Sequence, residues 1–215
     1  MIKVMIVDDH DLVRVGIKRL LRDVKDIEVV AEADDGEHAV QLARTVEPDV
    51  LLMDINMPGM GGIEACKRID RSLPDSKIIA LTVHADEPYP TRLLKAGASG
   101  YLTKGTGVDE MVTAIRQVNV GQRYISARIA QEMALRPYQN PEKAALMSGL
   151  SEREVQVMMM ITSGDKVSTI SNSLCLSPKT VNSYRYRLFD KLGVDNDVKL
   201  THLAIRHGII DPAIL

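Results

Sequence analysis

The chain has no tryptophan, one phenylalanine and two cysteines. Cys66 and Cys175 stand in different halves of the chain, outside any CxxC pair and away from histidines at ligand spacing, so neither a disulfide framework nor a zinc site is indicated. No apolar run approaches the roughly 18 residues of a membrane span, and the first residues turn acidic too soon for a secretion signal. These absences predict a cytoplasmic protein with no membrane partner.

The chain also lacks a large excess of charge of either sign. Lysine and arginine total 27 against 29 aspartate and glutamate, a net charge of −2. A globally basic nucleic-acid binder is therefore excluded, and any surface for nucleic acid must be local. With 45% apolar and 26% charged residues, the 215-residue chain has the composition of a globular protein of one or two domains.

The first part of the chain alternates between two hydrophobic patterns. Short runs that are apolar on both faces predict strands buried in a parallel sheet, at residues 4–7, 29–31, 50–53, 78–81 and 101–102. Segments of helical period lie between and after them, at residues 13–24, 36–45, 61–71, 90–96 and 109–119. We therefore expect an α/β domain over residues 1–120, a doubly wound five-stranded parallel sheet covered by helices.

The strand pattern stops after Gly121. Residues 121–147 predict a linker with one helix near 127–135, followed by a proline-rich break at 136–141. Residues 148–215 carry helical signals only, including a capping box from Ser151 to Glu154 and a cap with proline at Ser177 and Pro178. Helices over about 155–161, 167–174, 178–192 and 198–207 predict a small all-α helix-turn-helix domain.

Three carboxylates follow two of the predicted strands. Asp8 and Asp9 end the first strand and Asp54 ends the third, and such ends lie side by side at the crevice of an open α/β sheet. Like charges this close require protonation or a cation. An all-oxygen set that includes the backbone carbonyl of Asn56 suits Mg²⁺. The alternative, that these acids only cap helices, is weaker because no helix begins directly after Asp54.

Four motifs in residues 1–120 resemble the two-component response regulators: "VDDH", "LLMDINMPGMGG", "LTVH" and "GYLTKG". The resemblance implies a CheY-like receiver fold, Mg²⁺ as cofactor and a hybrid sensor histidine kinase as phosphodonor. For this chain the resemblance implies that Asp54 is the phosphoacceptor, that Asp9 and the Asn56 carbonyl bind the ion directly, and that Asp8 binds it through water. The resemblance further implies roles in phosphoryl contact and switching for Thr82, Tyr101 and Lys104.

The segment "LSPKTVNSYRYRLFDKLGV" resembles the recognition helix of LuxR-type (NarL/FixJ) output domains, which bind double-stranded DNA, commonly as homodimers. The candidate base contacts carried over from that pattern are Asn182, Ser183 and Tyr186. The candidate phosphate contacts are Lys179, Thr180, Arg187 and Lys191. The family more often has lysine at position 182 and histidine at 184, so base preference is left open. Within the family the chain resembles the GacA/UvrY/LetA branch, which activates small regulatory RNA genes.

Two other classes of protein compete with a phosphorylated transcription regulator. A phosphatase of the haloacid dehalogenase type would need aspartate where Asn56 stands, and a nucleotide-binding enzyme would need a glycine-rich loop where the acidic residues lie. We therefore expect no enzyme, beyond Mg²⁺-dependent self-phosphorylation and autodephosphorylation. The second rival is a protein-interaction module. Binding whose affinity does not depend on salt concentration would favour that class.

Overall fold

The computed structural model describes residues 1–82, 93–127, 129–131, 133–134 and 141–210. Contacts divide the chain into two compact units, Met1–Gln131 and Glu132–Leu215. Within the described ranges, no helix is both long enough and apolar enough to cross a lipid bilayer.

The first unit alternates strands and helices, as the hydrophobic pattern predicts. Its elements are β1 (Ile2–Val7), α1 (Asp11–Leu21), β2 (Ile27–Ala33), α2 (Gly36–Val46), β3 (Val50–Asp54), α3 (Gly62–Ser72), β4 (Lys77–Thr82), β5 (Gly100–Thr103), α4 (Val108–Asn119) and β6 (Tyr124–Ile125). The helix predicted over 90–96 falls partly on residues 83–92, which lie outside the described residues, while 93–95 are helical.

The strands form one parallel sheet in the order β2-β1-β3-β4-β5-β6. Because chain order reverses between β1 and β3, a crevice opens at their carboxyl ends. The register pairs Val4 with Val50 and Val7 with Met53, so the two strands end together. All residues of β3 are buried, as a strand covered by helices on both faces requires. The doubly wound α/β class is confirmed.

The sheet has a sixth strand that we did not expect. β6 pairs with β5 in the register Gly100 to Tyr124 and Tyr101 to Ile125. Two residues are too short to carry a periodic pattern, and the strand is held instead by pairing and by the bond from Tyr124 Oη to Glu110 Oε1, 3.1 Å. The following residues 127, 129–131 and 133–134 are helical. The first unit thus extends past residue 120, where we had placed the start of the linker.

The second unit contains only helices in its described part: α5 (Pro141–Ser148), α6 (Glu152–Thr162), α7 (Val167–Ser173), α8 (Pro178–Leu192) and α9 (Asp197–Arg206). α5 corrects our interpretation of Pro141 as a breaker, because proline at a first helical position is compatible with a helix. Met147 near its end is buried in the core of this unit. The segment before residue 148 therefore contributes to the helical unit.

The helix starts in this unit follow their capping residues. Ser151 accepts from the Glu154 N–H while the Glu154 carboxylate accepts from the Ser151 N–H, so the predicted capping box is formed. Ser177 accepts from the Thr180 N–H, 3.1 Å, and Pro178 begins α8. α7, a short turn and α8 form the predicted helix-turn-helix.

Candidate functional site

Two buried carboxylates define a pocket at the carboxyl edge of the sheet. Asp8 is fully buried after β1 and Asp54 is 1% exposed at the end of β3. A backbone N–H holds one oxygen of each: His10 N donates to Asp8 Oδ1, 2.9 Å, and Asn56 N donates to Asp54 Oδ1, 3.1 Å. Both carboxylates are therefore oriented by the turns that follow their own strands.

Lys104 joins these carboxylates. Its Nζ lies 2.7 Å from Asp8 Oδ2 and 2.8 Å from Asp54 Oδ2. Its backbone N–H donates to the Thr82 carbonyl, 2.7 Å, which fixes the loop after β5 against the end of β4. The ammonium thus stands where negative charge is concentrated, 50 residues from Asp54 along the chain.

The charges in the pocket shift each other's titration. Burial raises the pKa of Asp54 above its ordinary value, and the bonds from Lys104 and from the Asn56 N–H only partly oppose it. Burial also acts to lower the pKa of Lys104, but the bonds to Asp54 and Asp8 outweigh it and the pKa is raised. Lys104 is therefore held charged beside a desolvated carboxylate.

The pocket has the donor atoms of a cation site. Ligand atoms of Asp8, Asp9, His10 and Asp54 all lie within 4.8 Å of one another. Asp9 Oδ1 is buried and accepts no hydrogen bond from the residues that the structure describes, while Asp8 Oδ2 has the Lys104 ammonium beside it. Buried acceptors without donors are costly unless a cation satisfies them, so these residues fit a divalent ion.

The structure thus gathers the predicted acids, with Asn56 directly after Asp54, and adds a residue that our sequence analysis did not assign. His10 Nδ1 lies 2.8 Å from Asp9 Oδ1 and 3.3 Å from Asp8 Oδ1. The signal was in the motif, because the histidine follows the acidic pair directly.

The predicted switch residues lie on β4, which pairs with β3, and on β5, the next strand of the sheet. Thr82 ends β4 and Tyr101 lies in β5, and both are fully buried. The register sets Thr82 beside Thr103 and Ala80 beside Tyr101. Thr82 is therefore close to the pocket through the Lys104 backbone, and the Tyr101 ring lies inside the unit.

Gly62 is a site residue that we did not predict. A Cβ at this position would lie 2.0 Å from the Asp54 carbonyl oxygen and 2.6 Å from the Ile55 Cα. The Gly62 N–H donates to the Ile55 carbonyl, 3.2 Å. Glycine here lets the first turn of α3 lie against the backbone of Asp54. The glycine pair after Met60 was the available signal.

Arg14 is a further residue that we did not predict, and it binds the backbone of the turn after β1. Arg14 in α1 donates through Nη1 to the Asp8 carbonyl, 2.6 Å, and through Nη2 to Asp11 Oδ1, 2.9 Å. Its side chain is largely buried. Arg14 therefore links the first helix to the backbone that carries Asp8 and Asp9.

In the second unit, α8 separates an apolar face from a polar face. Val181, Leu188 and Phe189 are buried. Five of the predicted DNA contacts are exposed: Lys179, Ser183, Tyr186, Arg187 and Lys191. Asn182 and Thr180 are half-buried. The predicted contacts therefore lie away from the core side of the helix.

Some of these side chains have partners within the unit. Ser183 Oγ donates to the Lys179 carbonyl, 3.0 Å, and the Thr180 and Ser177 hydroxyls are 2.8 Å apart. The Arg187 guanidinium lies over the Tyr184 ring, 5.6 Å from its centroid. These bonds are local to one helix and exposed, so a ligand can replace them at low cost.

Lys191 differs from the other predicted phosphate contacts. Its Nζ lies 2.7 Å from Glu154 Oε2 and 3.2 Å from the Gly149 carbonyl. Glu154 is 2% exposed. Burial alone would raise the pKa of Glu154, but Lys191 and Ser151 together lower it. Lys191 therefore neutralises a buried carboxylate at the start of α6.

Two family models match the chain. One, described as "Response regulator receiver domain", matches residues 4–116. The other, described as "Bacterial regulatory proteins, luxR family", matches residues 148–204. The two matches cover more than half of the chain and fall in different units.

Curated relatives match over nearly the full chain. "Response regulator GacA" of Pseudomonas aeruginosa is 55% identical over 213 residues, which is 99% of this chain and 100% of the relative. "Response regulator UvrY" of Escherichia coli K12 is 57% identical over 209 residues, 97% of this chain and 96% of the relative.

Solved structures match as well. RcsB from Salmonella enterica serovar Typhimurium, bound to promoter rprA in the presence of the phosphomimetic BeF3⁻, superimposes with a TM-score of 0.66 at 27% identity, covering 94% of this chain and 98% of that chain. A LuxR-family two-component response regulator from Aurantimonas sp. SI85-9A1 gives a TM-score of 0.61 at 39% identity over 64% of this chain and 98% of the other.

Proposed function

Because the chain belongs to the response regulators that carry a LuxR-type DNA-binding domain, in the GacA and UvrY branch, we propose that phosphoryl transfer to Asp54 controls its binding to DNA. The chain is a transcription factor whose partners are a kinase phosphodonor and DNA. The observation that carries the proposal is the pocket, where Lys104 bridges Asp8 and Asp54 beside a buried Asp9 oxygen that accepts no hydrogen bond from the described residues. Both rival classes lose their support with the family match.

In the proposed transfer, a carboxylate oxygen of Asp54 attacks the phosphorus of a phosphohistidine. A P–O bond forms as the P–N bond breaks, and the donor imidazole leaves with the electrons of that bond. Lys104, already 2.8 Å from Asp54 Oδ2, offers its ammonium to the incoming phosphoryl oxygens. The Asn56 N–H keeps the other carboxylate oxygen in place.

We propose Mg²⁺ as the resident ion of this pocket. Asp9, Asp54 and the Asn56 carbonyl would hold it directly and Asp8 through water. It would supply positive charge that neutralises the oxygens of both partners. The buried acceptors on Asp8 and Asp9 support this assignment. Self-phosphorylation and autodephosphorylation would use the same residues.

The proposed switch uses buried neighbours of the pocket. A phosphoryl group on Asp54 presents acceptors that the Thr82 hydroxyl can meet, and the movement of Thr82 changes the packing of Tyr101. A shift from mostly inactive to mostly active needs about 5 kcal/mol of differential stabilisation, so dimerisation must contribute if the switch is complete.

On the output side, we propose that Asn182, Ser183 and Tyr186 face bases, while Lys179, Thr180 and Arg187 face phosphates. The exposed polar face of α8 supports this orientation. One helix-turn-helix makes few contacts, so a homodimer on two half-sites is proposed. We further propose a hybrid histidine kinase as donor, small regulatory RNA genes as targets and the cytoplasm as location.

The functional division follows the family matches. We propose residues 1–120 as the phosphoacceptor domain and residues 148–215 as the DNA-binding domain, since the matches at 4–116 and 148–204 fall inside them. Residues 121–147 connect the two, with their first part packed in the first unit.

A selection of random duplex DNA by the full chain, with Mg²⁺ and with or without beryllofluoride, tests the proposal. We expect beryllofluoride to enrich sites with two half-sites about one helical turn apart. Asp54→Asn is the matched control, because it keeps size and removes the attacking oxygen. If the sites enriched by Asp54→Asn still depend on beryllofluoride, the phosphoacceptor is a different residue. If the wild type enriches no sequence, the second unit is not a sequence-specific DNA-binding domain.

A further inference from the structure

His10 lies against the acidic pocket in a way that differs from an ordinary histidine–aspartate pair. His10 Nδ1 and Asp9 Oδ1 are 2.8 Å apart, yet Asp9 Oδ1 accepts no hydrogen bond from any residue in the described part of the chain. His38 and Asp34 form the ordinary pair, hydrogen-bonded at 3.0 Å. The His10 nitrogen and the Asp9 oxygen are thus neighbours without a proton directed between them.

These separations match those of two ligands around one metal ion. Neighbouring ligands with bonds of about 2.1 Å at right angles are about 3.0 Å apart. His10 Nδ1 lies 2.8 Å from Asp9 Oδ1 and 3.3 Å from Asp8 Oδ1. The whole set, with Asp54, spans at most 4.8 Å, close to the roughly 4.2 Å between opposite ligands of such an ion.

The buried acceptors provide an independent argument that a cation belongs here. Asp8 is fully buried, and its Oδ2 meets only the Lys104 ammonium among the described residues. Lys104 lies at the Oδ2 atoms of Asp8 and Asp54, whereas the imidazole lies at Asp8 Oδ1 and Asp9 Oδ1. An ion between the three carboxylates would therefore meet His10 Nδ1 as a fourth ligand.

We propose that His10 Nδ1 is a metal ligand of this pocket, so that the chain binds a borderline divalent transition-metal ion such as Ni²⁺, Co²⁺ or Zn²⁺ through one nitrogen and three carboxylates. Imidazole suits these ions, whereas Mg²⁺ takes oxygen ligands and water. The pocket then discriminates between metals through His10 and receives Mg²⁺ through its carboxylates. The inference rests on the pocket of the proposed function.

Isothermal titration calorimetry of the full chain with Ni²⁺ and, separately, with Mg²⁺ tests this assignment. We expect His10→Gln to weaken Ni²⁺ binding at least tenfold, since loss of even an outer-shell partner costs about 10 to 100-fold in metal affinity, and to change Mg²⁺ binding by less than about twofold. The His10 side chain is 65% exposed, so the variant folds. His38→Gln removes a histidine that pairs with a carboxylate elsewhere, and should change neither affinity.

Competition between the metals assigns the signal to the pocket. Excess Mg²⁺ should displace Ni²⁺ from the wild type. Unchanged Ni²⁺ affinity in His10→Gln, or an apparent Ni²⁺ affinity that excess Mg²⁺ leaves unchanged, refutes the nitrogen ligand, while Mg²⁺ binding and the beryllofluoride response leave the proposed function standing. Failure of the wild type to bind either metal overturns both.

Discussion

The substitution Gly62→Ala examines how the Asp54 backbone is packed. The added methyl carbon would lie 2.0 Å from the Asp54 carbonyl oxygen and 2.6 Å from the Ile55 Cα. Ordinary contact begins near 3.4 Å, so the start of α3 must move away from β3 by more than 1 Å. The obstacle is backbone on both sides, which a rotamer change cannot relieve.

We expect Gly62→Ala to lower the free energy of unfolding of the first unit by about 2 to 3 kcal/mol, the upper range for overpacking. Because the clash is with the backbone of Asp54 and Ile55, these residues are also pushed, which changes the position of the Asp54 carboxylate relative to Lys104, so uptake of beryllofluoride should weaken as well. Gly16→Ala is the matched control. Among the described residues, no atom beyond its chain neighbours and the local backbone of α1 lies within 4 Å of its new Cβ, and alanine in the middle of α1 should stabilise by about 0.5 to 1 kcal/mol.

Urea unfolding followed by far-UV circular dichroism measures both variants, and hydrogen exchange of residues 50–54 reports on the first unit alone. The two alanines must change stability in opposite directions. Gly62→Ala with wild-type protection of β3 and wild-type beryllofluoride uptake would refute the close approach of α3 to Asp54.

Two further predictions concern the second unit. Lys179→Ala should reduce the slope of log K against log salt for DNA binding by about 1. Lys191→Ala should leave that slope unchanged and lower the free energy of unfolding by about 1 to 2 kcal/mol, because Glu154 loses its partner and Lys191 is partly solvated. Equal slopes for the two variants would contradict this difference between the two lysines. The lowered pKa of Glu154 contributes stability that is present above its ordinary value of 4.5 and is lost as pH falls through the folded value. Urea midpoints between pH 7 and 3 should therefore fall less steeply in Glu154→Gln, and parallel curves would show that the carboxylate is not involved.

The local sequence pattern predicted most of the helices and strands, because burial and capping depend on residues that are close in the chain. The apolar run at 50–53 required burial on both faces, and Ser151 and Ser177 marked helix starts through bonds three residues away. β6 was missed because two residues define no period, and its position depends on pairing with β5. Pro141 was misinterpreted because a proline that ends one segment is equally compatible with the first turn of the next helix.

The same distinction between local and distant causes holds for the pocket and for α8. The acids and Lys104 could be assigned from their motifs, but their contact depends on strand order. Lys104 reaches Asp54 across 50 residues because β3, β4 and β5 are neighbours. Lys191 reaches Glu154 across 37 residues because α6 and α8 pack together, and from this pair we expect Lys191 to contribute to stability.

The order of residues is sufficient to predict which chemical groups are present and near which strand or helix end they lie, since period, capping and charge act over a few residues. Which distant groups meet depends on the folded chain: His10 with the acidic pair and Asp54, Gly62 with the Asp54 backbone, and Lys191 with a buried carboxylate. Distances of this kind follow from the packing of whole elements, and packing depends on all residues of the core at once.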